Sequence, residues 1–383
     1  MRTVQLEEVA EFINGRAFKP SEWGRSGIPI IRIQNLTGTN EVFNYFDGPI
    51  DERVRVQKGD ILISWSASLG VYRWKGENAV LNQHIFKVRL HDGIDPDYFY
   101  YAATDAVQEM ASRVHGSTMQ HITKDRFDSI HIPLPDFSEQ QRIAAVLKEA
   151  DRLRRTRRYS LELSDTFLPA AFLELFGNPV TNDKSWNVAL LEDACADDNG
   201  IKAGPFGSSL KKEFYSSSGI RVYGQEQVIA GDFSIGDYYI SKSMFEDFAA
   251  YEVKPRDVLI SLVGTFGKVV VVPGEIEKGI INPRLLKISP KSEVLDSTFL
   301  AKLIEHPIIQ RELTRMSHGG TMGILNAGLL RELRVILPPL HKQQHFAALV
   351  ARHERLQAGQ REALRQADHL FQSLLLRAFA EAV

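Results

Sequence analysis

Residues 138–178 read SEQQRIAAVLKEADRLRRTRRYSLELSDTFLPAAFLELFGN, and 203 positions later residues 341–383 read HKQQHFAALVARHERLQAGQREALRQADHLFQSLLLRAFAEAV. Without a gap, Pro135 falls on Pro338, Gln140 and Gln141 on Gln343 and Gln344, Leu153 on Leu356, Asp165 on Asp368 and Phe176 on Phe379. The chain is a duplication punctuated by two helical segments. In the first, Ile143, Val146, Leu147, Ala150 and Leu153 recur at three- and four-residue steps, and Leu161, Leu168, Phe172 and Leu175 continue the same apolar face. Ser138, with Gln141 three residues on, suggests a capping box at its start. Pro169 predicts a bend near its end, and Gly177-Asn178-Pro179 predicts its stop. About 38 residues at ~1.5 Å each make a rod of roughly 57 Å, too long for one small core and suited to a spacer.

The second helix carries Phe346, Leu349, Val350, Leu356, Leu364, Leu370, Phe371, Leu374 and Leu375. Each apolar stripe needs a partner, and a duplicated unit supplies it most simply by pairing the helices antiparallel about a pseudo-twofold axis. That arrangement puts one domain at each end of the rod and brings the C-terminus back near Met1. The alternative folds each helix onto its own domain.

Working outward, residues 1–137 read as strands and turns around one helix. Ile28-Pro29-Ile30-Ile31-Arg32-Ile33, Asp60-Ile61-Leu62-Ile63-Ser64 and His84-Ile85-Phe86-Lys87-Val88 are β-branched or aromatic runs bounded by Gly, Asn and Asp. Pro96 to Val114 is the helix, with Tyr98, Tyr101, Ala102, Val107 and Met110 on its apolar face. Residues 179–340 repeat the plan. Ser218-Gly219-Ile220 answers Ser26-Gly27-Ile28, Asp257-Val258-Leu259-Ile260-Ser261 answers Asp60 to Ser64, Gly267 answers Gly70, and Asn282 answers Asn82. His318-Gly319-Gly320-Thr321-Met322 answers His115-Gly116-Ser117-Thr118-Met119. The offset grows from 192 to 203, so insertions fall in loops between shared strands. The expected fold is α+β: two homologous mixed α/β domains, 1–137 and 179–340, separated by two long antiparallel helices, 138–178 and 341–383, in a pseudo-twofold internal repeat.

Composition bounds the function. The 383 residues carry a formal net charge of -2, which argues against a protein that coats nucleic acid non-specifically but leaves room for a basic face. A single cysteine, Cys195, excludes an internal disulfide and any multi-cysteine metal site. No basic-then-apolar leader opens the chain and no uncharged run has membrane-spanning length, so the expected address is cytoplasmic, with no membrane partner.

A search for catalysis fails at each candidate. Gly264-Thr265-Phe266-Gly267-Lys268-Val269 has too short a glycine spacing for a phosphate loop and no Ser or Thr after the lysine. Asn178-Pro179-Val180 lacks the second proline and the aromatic of an adenine-methyltransferase loop. Glu252-Val253-Lys254 has no assignable upstream acid to complete a nuclease signature, and His84, His91, His115, His121 and His131 show no metal spacing. No catalytic residue and no metal site is expected. Two similar domains joined by helices instead suit a ligand read at two places. The DNA major groove returns to one side about every 34 Å, and unlike loops imply unlike half-sites. A non-catalytic adaptor joining two protein-binding domains is the alternative.

Pro133-Leu134-Pro135, then Glu139-Gln140-Gln141-Arg142-Ile143-Ala144, Asp151, Arg157-Arg158 and Leu175-Phe176-Gly177-Asn178-Pro179, resemble the central conserved region of type I restriction-modification specificity subunits. The order domain, helix, domain, helix is also that family's. The second copy departs from the pattern, with Lys342 where Glu139 stands and His345-Phe346 in place of Arg142-Ile143. The resemblance implies a subunit without catalytic activity or cofactor of its own. Such a subunit binds double-stranded DNA and recruits two methyltransferase subunits, which use S-adenosylmethionine to methylate adenine. Up to two restriction/translocase subunits, driven by ATP, join them. The helices then serve as ruler and dock, with Arg152, Arg154, Arg155, Arg157 and Arg158 facing DNA, a partner's acids or solvent.

Side chains suited to base edges mark the candidate readout positions. In the first domain these are Arg16, Lys19, Arg32, Gln34, Asn35, Ser66, Ser68, Asn82, Gln83, His84, Thr118 and His121. In the second they are Lys202, Ser208, Ser209, Lys211, Lys212, Tyr223, Gln225, Gln227, Lys268, Asn282, Arg284 and Thr321. Asn82 and Asn282 are equally suited to bonding a turn backbone. Trp65 and Phe266 suit packing beneath the loops or against a base.

Overall fold

A computed structural model describes residues 2–66, 68–113, 127, 129–196, 200–206, 209–262, 268–317 and 325–379. The chain divides into two compact units. One takes the residues up to Tyr159 together with those from Arg361 onward, and the other takes Ser160–Gln360.

In the first unit the β-branched runs form β1 (Arg2–Gln5), β2 (Ala10–Asn14), β3 (Ile28–Ile31), β4 (Asn44–Phe46) and β5 (Arg55–Val56). These are followed by β6 (Ile61–Ser64), β7 (Gly70–Arg73), β8 (Ala79–Leu81), β9 (Ile85–Leu90) and β10 (His131–Leu134). One sheet is antiparallel in the order β2-β9-β6-β7, and a second runs β4-β3-β8-β5 with β3 and β8 parallel. A ribbon pairs β1 with β10. Ile61 to Ser64 are buried at all four positions, which is why their sequence shows a continuous apolar run and no alternation. Helix α1 (Pro96–Arg113) begins at Pro96, whose missing N–H costs nothing in a first turn.

The second unit repeats this topology strand for strand. It contains β11 (Asn187–Leu190), β12 (Ile201–Ala203), β13 (Ile220–Tyr223), β14 (Tyr239–Ile240) and β15 (Glu252–Val253). After them come β16 (Val258–Ser261), β17 (Val269–Val271), β18 (Gly279–Ile281), β19 (Leu285–Ile288) and β20 (Arg334–Leu337). Their orders are β12-β19-β16-β17, β14-β13-β18-β15 and β11-β20, and the parallel pair β13–β18 stands where β3–β8 stands. The counterpart of α1 is broken in two, α3 (Ser297–Glu305) and α4 (Pro307–Ser317), at a proline that cannot donate to a continuing helix.

Two long helices complete the chain, α2 (Phe137–Phe176) and α5 (Leu340–Phe379), each 40 residues long. Each unit takes part of both helices, so neither helix folds only onto the strands that precede it. In the first unit, Ile143, Leu147 and Ala150 of α2 join Phe371, Leu375 and Phe379 of α5 in one core with Phe12, Phe86 and Phe99. There Arg154 lies 3.9 Å over the Phe371 ring and Arg158 pairs with Asp368 at 3.3 Å. In the second unit, Phe172 and Phe176 of α2 pack on Phe346 and Phe299. Gln357 donates to Asp165 at 2.6 Å, the repeat of the contact between Arg154 and Asp368. Within each unit, later residues of α2 meet earlier residues of α5, so the segments are antiparallel.

The repeated glutamines explain part of the shared motif. Gln140 is 2% exposed; its Oε1 accepts from the Asp95 N–H at 2.9 Å, and its Nε2 donates to the carbonyls of Gly93 and Pro135 at 3.3 and 3.1 Å. Gln343, 0% exposed, does the same with Asp296, Val294 and Pro338 at 2.9, 2.9 and 2.7 Å. Asp95 and Asp296 in turn cap α1 and α3 through the next backbone N–H groups. The glutamine therefore ties the start of each long helix to the start of its neighbour. The capping box expected at Ser138 is replaced by Asp136, whose Oδ1 accepts from the Glu139 N–H at 2.9 Å and the Ser138 hydroxyl at 2.8 Å. Those bonds hold the Asp136 carboxyl below its ordinary pKa. At the other end Gly177 adopts φ 73°, the left-handed stop that the sequence predicts.

Candidate nucleic-acid interface

In the first unit three loops are hydrogen-bonded to one another and to strand ends at the ends of the two sheets. The Gly15 N–H donates to Ile85, Arg16 to Leu81, Gln83 to Arg16, Asn82 to Ile31 and Trp65 to His84, all at 2.8–3.2 Å. Gly15 is obligatory, because a Cβ there would collide with the Asn82 carbonyl. Trp65 lies on Phe86 with ring centroids 5.8 Å apart and meets the His84 ring at 4.8 Å, so it packs beneath the loops. This frame brings Arg16, Ser66, Asn82, Gln83 and His84 together.

Not all of these side chains are available. Arg16 pairs with Glu22 and stacks over Phe18 and Phe46. Arg32 lies 4.7 Å over Trp23, and Asn35 holds its own loop, accepting from the Arg32 N–H and donating to the carbonyls of Asn40 and Val42. Ser66 is buried. Lys19, Ser68 and Gln83 are exposed; Gln34 and His84 are half-buried.

The second unit builds the same frame. The Gly204 N–H donates to Leu285, Asn282 to Tyr223 and Leu262 to Arg284, at 2.8–2.9 Å. A Cβ at Gly204 would strike the Asn282 carbonyl, as at Gly15. Asn282 Oδ1 accepts from the Arg284 N–H at 2.9 Å, a turn-closing bond. Arg284, Lys268 and Ser209 are exposed, while Gln225 is half-buried. Lys211 pairs with Glu213 at 3.4 Å, and Lys202 lies 4.8 Å over the Tyr251 ring. Lys212 opens the short helical turn Lys212–Phe214.

Beside Ser66, two further candidates are buried. Tyr223, 0% exposed, donates to the Glu277 carbonyl at 2.7 Å, and burial pushes its phenol up to about 12. Gln227, 1% exposed, accepts from the Gly224 N–H and donates to the Ile235 carbonyl, both at 2.8 Å. Tyr223 belongs to β13, which is buried at all four positions, and Gln227 is one of two residues that the short helix Gln225–Ala230 buries against the core. Thr118, His121, Ser208 and Thr321 lie outside the described residues, as do His115, His318 and Phe266.

On α2, Arg152 pairs with Glu149, Arg154 and Arg155 both bond the buried Asp151 at 2.6 Å, and Arg157 is exposed. Alongside them run cations that sequence patterning does not group: Lys58, Arg73, Lys75 and Lys148. They come from separate elements, and no local motif connects them. Among the described residues no group of His, Cys, Asp and Glu could hold a metal ion, and no helix is long and apolar enough to cross a membrane.

The family model described as "Type I restriction modification DNA specificity domain" matches residues 1–163 and 206–366. The chain belongs to this family. Among curated relatives of the specificity subunit, the EcoBI specificity subunit of Escherichia coli is 24% identical, covering 98% of this chain and 85% of the relative. The MjaVIII specificity subunit of Methanocaldococcus jannaschii is 22% identical, covering 85% and 80%. The fold matches the crystal structure of a type I restriction-modification S subunit from M. genitalium with TM-score 0.59 at 16% identity, over 99% of this chain and 96% of that one. A structure described in connection with complex assembly and conformational transition of the type I system matches with TM-score 0.58 at 18% identity, over 98% and 97%. The protein is a non-catalytic component of a type I restriction-modification system, a specificity subunit with two target-recognition domains. The matched ranges take in Arg16 to His84 and Tyr223 to Arg284.

Proposed function

We propose that the subunit reads an asymmetric, two-part DNA target, with residues 1–137 and 179–340 as the recognition domains and the loop frames as the reading surfaces. The observation that carries this is chemical inequality on an equal frame. Trp65, Gln83 and His84 in the first unit stand where Leu262, Pro283 and Arg284 stand in the second. A shared backbone geometry with different donors reads different bases. The readout set narrows to the accessible side chains: Lys19, Gln34, Ser68, Gln83 and His84 in one domain, Ser209, Lys211, Gln225, Lys268 and Arg284 in the other. Helices α2 and α5 act as spacer and as dock for two methyltransferase subunits, with restriction subunits where the system has them. S-adenosylmethionine and ATP belong to those partners, and the assembled complex works in the cytoplasm.

Mapping methylated adenines in the host genome tests this. A split, non-palindromic motif should appear and should vanish when the gene is deleted. An unchanged methylome would sink the reading and favour a protein-joining adaptor.

A further inference from the structure

In the first unit, β7 and the residues after it, α1 and α2 enclose two adjoining hollows of about 440 and 490 Å³. Their walls carry Lys58, Arg73, Lys75, Lys148, Arg155 and Arg158, with Tyr100 between them. Internal acids do not balance these cations. Asp97 is shared by Arg73 and Lys148, each at 2.6 Å, and Asp151 is shared by Arg154 and Arg155. Lys58 and Lys75 are exposed, with no carboxylate partner among the described residues. In a chain of net charge -2, this is a local surplus.

The repeat shows that the fold does not require it. The backbone N–H of Trp74 donates to Asp60 as that of Val272 donates to Asp257, and Ile61 faces Arg73 as Val258 faces Val271. Lys58, Arg73 and Lys75 thus correspond to Pro255, Val271 and Pro273. On the ungapped helix register, Lys148 and Arg155 correspond to Ala351 and Ala358. Every one of these five cations is an uncharged residue in the second unit, although the sheets and helices beneath are the same.

We propose that this groove binds the DNA sugar-phosphate backbone beside the half-site read by the first unit, giving that unit a phosphate clamp built from five cations that the second unit does not repeat. The inference rests on the DNA-recognition reading above. Continuity favours DNA over an acidic protein segment: Asn35 and Leu36, in the helical turn that follows Arg32, line the same hollow as Arg155 and Arg158. The groove therefore opens from the candidate reading loops. Guanidinium and ammonium groups spaced along a groove suit a polyanion that carries a charge about every 1.7 Å of its axis.

The test uses the assembled complex and the duplex defined by its own methylation motif. Lys58→Gln with Lys75→Gln removes two exposed cations without touching an internal ion pair. The slope of log affinity against log salt should become shallower by about 1.8, roughly 0.9 for each phosphate that is no longer neutralised, with the recognised motif unchanged. An unchanged slope with intact sequence preference overturns the groove alone. Weakened subunit assembly with an unchanged slope also overturns it, in favour of an acidic protein partner. If the unaltered complex shows no preference for its motif over a scrambled duplex, the recognition reading fails and takes the groove with it.

Discussion

Replacing Gln343 by leucine keeps the volume of the side chain approximately and removes its polar atoms. It leaves the Asp296 N–H and the carbonyls of Val294 and Pro338 without the amide that now satisfies them at 2.9, 2.9 and 2.7 Å in a fully buried position. At about 1 kcal/mol net for each bond, the loss is about 3 kcal/mol, higher if the Asp296 N–H stays dry. For a unit of this size, about 2–4 °C per kcal/mol gives a fall in Tm of about 6–12 °C for the second unit. Amide exchange at Asp296, Thr298 and Phe299 should accelerate most, because the cap of α3 loosens first. Gln140→Leu is the internal control: its donated bonds are longer, 3.3 and 3.1 Å, so the first unit should lose less. A Tm unchanged within about 1 °C for Gln343→Leu would refute the claim that this amide ties the helix start to its neighbour.

Further outcomes follow from other side chains. Asp151→Asn strips the buried counter-ion from Arg154 and Arg155 and should cost the first unit about 2 kcal/mol in denaturant unfolding, below the fully buried case because both arginines reach solvent. Burial, reinforced by the charge of Glu109, raises the Asp105 carboxyl to about 6. The folded state then keeps a proton that the unfolded chain releases from about pH 4, so this group lowers stability as pH climbs from about 4 to 6. Asp105→Asn should therefore raise Tm above pH 6 and leave it unchanged below about pH 4 in paired melts. Gly204→Ala forces a Cβ against the Asn282 carbonyl and should abolish recognition of the half-site read by the second unit, measured on duplexes mutated in one half-site at a time. Inserting four helical residues near Tyr159 should change the spacing between half-sites in the methylation motif while both half-site sequences stay the same.

Much of the scaffold is legible in the sequence because it is periodic or repeated. The three- and four-residue apolar steps fix α2 and α5, the β-branched runs fix β3, β6 and β9, and Pro96 and Gly177 mark where helices start and stop. The helix cap is less legible: Ser138 and Asp136 both have capping side chains, and only the backbone geometry selects Asp136. Tyr223 and Gln227 have the right chemistry for reading bases, but a strand buried at every position carries no alternation to say that Tyr223 points inward, and Gln227 sits in a six-residue helix too short to show a periodic face. The groove is illegible for a different reason. Its cations are separated by up to a hundred residues and meet only through β7, α1 and α2, and no spacing rule connects them.

The positions that the two units share and those they do not share fall into separate physical classes. Gly15 and Gly204 are kept because a carbonyl fills the space a Cβ would need. Gln140 and Gln343 are kept because three buried backbone groups need one amide, and Asp95 and Asp296 because a helix start needs an acceptor. Each is a constraint of the backbone, and changing it costs stability wherever it occurs. Gln83 against Pro283 and Lys58 against Pro255 stand at matching places without such constraints, so they can diverge at little cost to folding. A duplicated chain with its scaffold fixed and its exposed groups free has no reason to keep its two halves chemically equal. The helix that begins at Phe137 in one copy and Leu340 in the other shows the same division: the buried Gln140 and Gln343 agree, while Glu139 and Lys342 beside them carry opposite charge.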